Sequence, residues 1–545
     1  MTGAVARALR RPLLLLAALV AVLGLLPAAP AAAHAALESS TPAANAVLTS
    51  SPPLIALDFD ERIEAGVATI RLFDGDGVAI DIGSPESGAD DSQVQATVPR
   101  LDDGLYAVVW HVVSADGHPV DGAFAFQIGT TATGDAEALL EQVRTVGSSA
   151  RASWWSGVAR FASFAGFVLV AGGGWWALRR PARLVEHRRI RTVLSAGAAL
   201  LVVGALGAFA VFSAQVGDGS FGAAWSPSSW VDALDTQPGR MLLVRLLAAV
   251  ALLGLALPPV RRTGSLGPSA PVVAGLLLAA LVSFPMAGHP NALSPQVLWI
   301  AVDAVHLAAI SVWLGGVVVL ALCPSSVVNE PEVQRIARGF SAAATVAIPV
   351  AIVTGVAHAW RLAGGLGHVA DTSWGTLLIV KVGVVVVVLA LAAAARRRLH
   401  RGGAAAVRRV VRTELVAGVV ILALTAALAG EPPRTPLPSR PYDETLAGSG
   451  VIASVSISPG RVGSNEMHVL LTPPGGSITP IAGLAVRVSL PSAGIPPAPG
   501  TVVPEGPNHF SGTVTFTEAG EWTVEFIVQV TDTEAALLKA TVSIP

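Results

Sequence analysis

From residue 157 onward the chain reads as a series of apolar stretches, at about 157–178, 192–214, 239–257, 269–287, 297–322, 340–361, 374–395 and 410–429. Each provides the ~20 helical residues that cross a ~30 Å hydrocarbon core, so eight membrane helices are predicted. Before this series the pattern differs. Short β-branched and aromatic runs occur at Leu54–Phe59, Val67–Phe73, Val94–Val98, Leu105–Val113 and Phe124–Ile128, separated by turns such as Asp74-Gly75-Asp76-Gly77 and Asp103-Gly104. After it, alternating runs return at Val451–Ile457, Met467–Leu471, Leu484–Leu490, Thr513–Phe516 and Trp522–Val530. The fold class is therefore multi-domain: an N-terminal immunoglobulin-like β-sandwich, an all-α polytopic bundle of eight helices, and a C-terminal β-sandwich.

The boundaries follow from these shifts. A signal segment occupies 1–33, a β domain 34–129, a polar linker 130–153, the membrane domain 154–430, a Pro-rich spacer 431–449 and an extracytoplasmic β domain 450–545. Arg7, Arg10 and Arg11 precede an apolar run from Leu13 to Leu26, and the small triplet Ala31, Ala32, Ala33 closes it, the layout of a cleavable export signal. Cleavage after Ala33 makes His34 the first residue, with a free α-amine; an uncleaved anchor would leave that nitrogen as an amide. The connections after the first, third, fifth and seventh apolar stretches bear the arginines, among them Arg179, Arg180, Arg261, Arg262, Arg335, Arg338, Arg396 and Arg397. Alternate connections have almost none, which places both flanking domains outside.

Composition narrows the class. The chain is 52% hydrophobic and 13% charged with a formal net charge of −2, and its mean hydropathy is +0.63. A lipid bilayer is its solvent. No basic excess exists to neutralise nucleic acid, and no Gly-rich Lys-Ser/Thr loop cradles a nucleotide. The single cysteine, Cys323, excludes a disulfide framework and multi-cysteine metal sites.

Metal chemistry must then use nitrogen and oxygen donors. In Ser114-Ala115-Asp116-Gly117-His118-Pro119-Val120, Asp116 and His118 are two apart and project to one side of an extended backbone, within reach of one ion. The spacing also fits a polar turn closed by Pro119. With His34 the set is an amine, two imidazoles and a carboxylate, which favours tetragonal Cu(II); none of the four methionines lies in this domain, so Cu(I) is disfavoured. The ion must displace protons from these donors, so affinity falls in acid. Within the spans Asp303 and His306 share a helix face, with His358 and Lys381 on later spans and His289 in an external loop, a set suited to a membrane copper path. A membrane histidine hydrogen-bonded to a neighbouring helix is the alternative. Arg245 is expected to pair with Asp303.

The start His34-Ala35-Ala36-Leu37, the Leu57-Asp58-Phe59 strand and Ser114-Ala115-Asp116-Gly117-His118-Pro119-Val120-Asp121-Gly122 resemble the CopC family of periplasmic copper-binding proteins. That resemblance implies Cu(II) ligation by His34, Asp116 and His118; the Met-rich Cu(I) loop of some members is absent here. Gly288-His289, Asp303, His306, Trp313-Leu314-Gly315-Gly316, His358 and Trp374-Gly375 look like the CopD family of membrane copper-resistance and uptake proteins. This implies inward copper movement, with His289, His306 and His358 as candidates along it. The last domain resembles the immunoglobulin-like domains appended to CopD-like proteins; Met467, His468 and His509 form a weak metal pattern there, with ordinary strand and loop residues as the alternative, and no chemistry is assigned to it. The expected function is copper homeostasis, binding Cu(II) outside and delivering it for import, with extracytoplasmic copper donor proteins as partners. The alternatives are copper buffering or sensing without transport, and a haem-binding electron-transfer membrane protein with His306 and His358 as axial ligands. No enzymatic role is expected, because Asp116 would fill the copper position that oxygen chemistry leaves open.

Overall fold

A computed structural model describes residues 35–545 except 36, 45, 130–135, 148–153, 179–187, 218–219, 257–269, 323–329, 364–368, 370–371, 400–403, 432, 434–441, 449, 459, 473–480, 507 and 532. The signal segment, His34, much of the Pro-rich spacer and many of the basic connections lie outside the described residues. The rest forms two compact units: one of residues 150–434 together with Ser114–His118, the other of 35–113, 119–149 and 435–545.

In the β-rich unit, the N-terminal strands are β1 (Leu37–Thr41), β2 (Val47–Leu48), β3 (Leu54–Phe59), β4 (Thr69–Asp74), β5 (Ala79–Ile80), β6 (Glu86–Ser87), β7 (Gln93–Thr97), β8 (Gly104–Val113) and β9 (Pro119–Ile128). They make a four-stranded sheet, β1-β3-β7-β6, and a five-stranded sheet, β2-β9-β8-β4-β5, packed as a β-sandwich. Alternation along β8 sends Tyr106, Val108, Trp110 and Val112 into a core shared with Ile55, Leu57, Leu72, Val94 and Phe126. Its opposite face is also buried. Ala107 and Val109 pack with Phe73 against Leu139 and Val143 of a helix at Ala136–Gly147. This helix lies within the segment 130–153 read as a polar linker: Leu139 and Val143, four apart, lay one apolar stripe on the sheet. β8 and β9 pair from Gly104↔Ile128 to Val113↔Pro119, leaving Ser114–His118 as the hairpin tip.

The C-terminal strands are β10 (Tyr442–Gly448), β11 (Val451–Ser458), β12 (Gly463–Thr472), β13 (Gly483–Leu490), β14 (Ile495–Pro499), β15 (Thr501–Gly506), β16 (His509–Phe516), β17 (Gly520–Gln529) and β18 (Ala535–Ile544). Two sheets, β10-β11-β12-β16-β15 and β14-β13-β17-β18, share one core centred on Met467, Val469, Phe516, Trp522 and Phe526. β10 falls where a spacer was expected, so the sheet begins before residue 450. Trp522 is fully buried, its ring 5.2 Å from that of Phe516 and its Nε1 donating to the Glu518 carbonyl at 2.9 Å. Trp522→Ala is expected to cost about 3–5 kcal/mol. Amide exchange along β17 would then quicken by more than about a hundredfold; unchanged protection would contradict this account of the core.

The helical unit has 7 helices long and apolar enough to cross a membrane among the described residues: Trp155–Trp176, Arg189–Val216, Gln237–Ala256, Ala270–Ala287, Gln296–Ala321, Arg338–Ala363 and Ser373–Ala390. The eighth predicted stretch is helical as well, over Ala404–Leu428, but its described apolar part, Thr413–Leu428, falls short of that length. Small residues set the crossings. A Cβ on Gly315 would meet the Gly172 backbone at 2.4 Å, and one on Gly204 the Ser163 nitrogen at 2.3 Å, so these backbones touch as membrane helices do where lipid gives no hydrophobic drive to association.

Candidate metal centre

Of the two conformations that the spacing allowed, an extended segment and a polar turn closed by Pro119, the hairpin tip adopts the turn. Gly117 has φ of 86°, a left-handed conformation that glycine adopts without strain, and its amide donates to the Ser114 carbonyl at 2.9 Å. This turn, rather than strand pleating, brings Asp116 and His118 together. The Asp116 Oδ1 accepts from the Ser114 hydroxyl and from the His118 amide, the latter at 3.0 Å. His118 Nδ1 lies 3.0 Å from the same oxygen.

The tip is seated in the helical unit. Asn291 donates from Nδ2 to the Ala115 carbonyl at 2.6 Å, and its Oδ1 accepts from Gln237 at 2.8 Å and Gln296 at 2.6 Å. A Cβ at Gly117 would come within 3.2 Å of Pro238, so the seat fits glycine closely. Beside Asn291, in the one-turn 3-10 segment His289–Asn291, stands His289. Its Nε2 is 3.7 Å from Asp116 Oδ2, and its ring stacks on that of His118 with centroids 5.1 Å apart and planes at 8°. Asp116, Ser114, His289 and Asn291 are all buried.

One ligand atom each from Asp116, His118 and His289 lies within 4.8 Å of the others, a grouping that can hold a metal ion. Donors facing each other across an ion with ~2.0 Å bonds are about 4 Å apart, so shifts of under about 1 Å close the set. Two imidazoles and a carboxylate form a nitrogen and oxygen donor set of the borderline kind that Cu(II) accepts, and a copper ion fits these residues. His34 lies outside the described residues.

The other intramembrane candidates group separately. Asp303 Oδ1 is 3.3 Å from His358 Nδ1, and His306 Nδ1 is 3.0 Å from the Thr354 hydroxyl. Thr354 gives its own hydrogen to the Val350 carbonyl at 2.7 Å, so its oxygen accepts from His306 Nδ1, which leaves Nε2 as that ring's lone pair. His358 Nε2 is buried with no hydrogen-bond partner among the described residues. An imidazole backed at one nitrogen by an acceptor is the usual state of a metal-binding histidine. Arg245, expected to pair with Asp303, is instead held on its neighbouring helix: it donates to the Ser283 hydroxyl at 3.0 Å and carbonyl at 2.8 Å, and its guanidinium lies 3.8 Å over the Phe284 ring.

Sequence reading thus named every charged or imidazole member of both groups but placed His289 with the membrane set, whereas it lies with Asp116 and His118. It missed Asn291, Gln237 and Gln296, the amides that seat the tip. The run Gly288-His289-Pro290-Asn291 offered the one local signal, an amide two residues from a candidate ligand.

Fold and site define a multi-pass membrane protein that carries β domains and a candidate metal centre. Residues 37–129 match the CopC domain family, 151–294 the copper resistance protein D-like N-terminal domain family, and 334–428 the copper resistance protein D family. The chain thus joins a CopC domain at its N-terminal side to CopD-like N-terminal and CopD regions downstream. It is 27% identical over 454 residues, 81% of this chain and 82% of that one, to the copper transport protein CutJ of Bacillus subtilis (strain 168). It is 37% identical over 99 residues to protein YobA of Escherichia coli (strain K12), which covers 18% of this chain and 79% of that protein. Among solved structures, the crystal structure of CopC from Methylosinus trichosporium OB3b is similar at 27% identity, covering 19% of this chain and 98% of that chain, with a TM-score of 0.17.

Proposed function

We propose that this chain captures Cu(II) outside the cell membrane and delivers it inward for import. The observation that carries the reading is the convergence of Asp116 and His118, the donors of the Asp-Gly-His motif, with His289 of the copper resistance D region. Capture uses Asp116 and His118 together with the α-amine and ring of His34. Delivery begins at His289. Because the His118 and His289 rings stack nearly parallel, copper passes from one imidazole to the other by ligand exchange on an ion that never loses its whole donor set. Donor and acceptor belong to one chain, so the exchange does not wait for a diffusional encounter.

Beyond His289, the path continues past the Asp303, His306 and His358 group, in which His306 presents an Nε2 lone pair. The exclusion of charge from lipid makes such a group costly unless it serves transit or packing. The arginines on alternate connections set the orientation, with both flanking β domains, read as immunoglobulin-like sandwiches, on the outer side. Extracytoplasmic copper donor proteins would load the capture site.

The reading is tested by elemental analysis of cells grown at limiting copper. A strain lacking the chain is expected to accumulate less copper than its parent, and equal accumulation would reject import. In the same cells, one residue inserted between Ala33 and His34 is expected to lower accumulation, because it converts the chelating amine to an amide. Unchanged accumulation in that variant would remove His34 from the ligand set.

A further inference from the structure

A second pair of histidines lies in the C-terminal domain, away from every group used above. Along β12 the core takes Asn465, Met467, Val469 and Leu471, while Glu466, His468 and Leu470 occupy the other face. In β16 the core takes Phe510, Val514 and Phe516, yet His509, at its start, is buried as well. Register explains how the two histidines meet: His468 pairs with Ser511 and Leu470 with His509, so His468 and His509 are diagonal neighbours on one face. That face looks into a cavity of about 530 Å³ whose far wall includes Val47, Leu105, Ala125 and Gln127 of the N-terminal β domain, in the same compact unit.

His468 Nδ1 and His509 Nε2 are 3.4 Å apart, with the rings at 23° and centroids separated by 5.6 Å. Two nitrogens at that spacing subtend about 110° at an ion with ~2.05 Å bonds, a tetrahedral bite. The far nitrogen of His468, Nε2, lies 3.4 Å from Glu466 Oε1. A carboxylate beside the far nitrogen is the kind of neighbour that raises the basicity of a metal-binding imidazole. Asp443 pairs with Ser456 and Ser456 with His468 across the sheet, which puts a further carboxylate in the same row and on the same cavity. A surface histidine pair needs neither a convergent bite nor a carboxylate beside one ring.

We propose that His468 and His509 form a second metal site, for a borderline divalent ion of the Cu(II) class, with Glu466 as a positioning residue. Two protein nitrogens leave coordination positions open toward the cavity, so the site holds its ion more loosely than a closed structural site. It is independent of the capture centre and stands whether or not the chain imports copper.

The test uses the full-length protein carrying His34→Ala, Asp116→Asn, His118→Asn, His289→Leu, His306→Leu and His358→Leu, titrated with CuCl2 alone and followed by electron paramagnetic resonance. One bound equivalent with coupling to two imidazole nitrogens is expected. Adding His468→Asn or His509→Asn should weaken it by more than about tenfold and remove one nitrogen coupling. Glu466→Gln leaves both rings in place; it should weaken binding by about tenfold while the two-nitrogen signature persists, a result that a disordered strand could not produce. Copper stoichiometry and nitrogen coupling that are unmoved by His468→Asn and His509→Asn, with Trp522 fluorescence still native, would overturn the proposal.

Discussion

Asp116→Asn weakens Cu(II) binding at the hairpin tip by more than about a hundredfold, or roughly 3 kcal/mol, and leaves the tip folded. The two halves of this expectation come from the two oxygens of one carboxylate. Oδ1 is structural: it accepts from the Ser114 hydroxyl and the His118 amide, and an asparagine carbonyl placed there accepts from both. Oδ2 faces His289 Nε2 at 3.7 Å, on the side where the ligand atoms of Asp116, His118 and His289 gather. Asparagine replaces it with an amide nitrogen that has no lone pair to offer, and it removes the one negative charge that balances the cation in a buried site. Competition titration with CuCl2 measures the loss. Affinity within about threefold of the parent would show that the carboxylate shapes the turn and does not bind copper.

The charge and polarity of this chain announced its layers, and most strands followed from alternation. β11, β12 and β17 read well because their apolar positions fall on every second residue and face one core. Other strands were hidden by their composition. β14 and β15 carry Pro496, Pro497, Pro499 and Pro504, residues tolerated where no ladder hydrogen bond is required, so a sheet edge looked like loop. β10, a strand of mostly exposed residues including Asp443 and Glu444, sets only Tyr442 and Leu446 against the core, too few to mark it. β18 contains Ala535, Ala536, Leu537, Leu538, Lys539 and Ala540, strong helix formers by propensity that the sheet overrides.

The candidate centre was legible only as far as local spacing reaches. Asp116 and His118 stood out because they are two residues apart, although the conformation that unites them is a glycine turn. His289 joins them from across the chain, and no periodicity encodes that meeting; the seat built by Asn291, Gln237 and Gln296 brings it about. Arg245 illustrates the converse. Opposite charges within a membrane invite pairing, but Ser283 on the adjacent helix offers both a hydroxyl and a carbonyl, and the arginine is satisfied there.

His289→Leu separates capture from delivery. Leucine has nearly the volume of the imidazole and keeps the buried contact with the His118 ring, so the tip remains seated through Asn291 and Ala115. Four capture donors survive: the His34 amine and ring, His118 and Asp116. Cu(II) affinity is therefore expected to fall by no more than about tenfold, whereas copper accumulation falls to that of a strain lacking the chain, because the first acceptor is gone. Any binding energy kept in the capture site without an acceptor only deepens a trap: an ion held at nanomolar affinity sits about 12 kcal/mol below free solution and leaves slowly unless a new ligand enters as an old one departs. Accumulation equal to the parent's would show that copper bypasses His289. An affinity loss beyond about a hundredfold would make His289 a capture ligand in its own right, and the step into the membrane would then begin at Asp303 and His358.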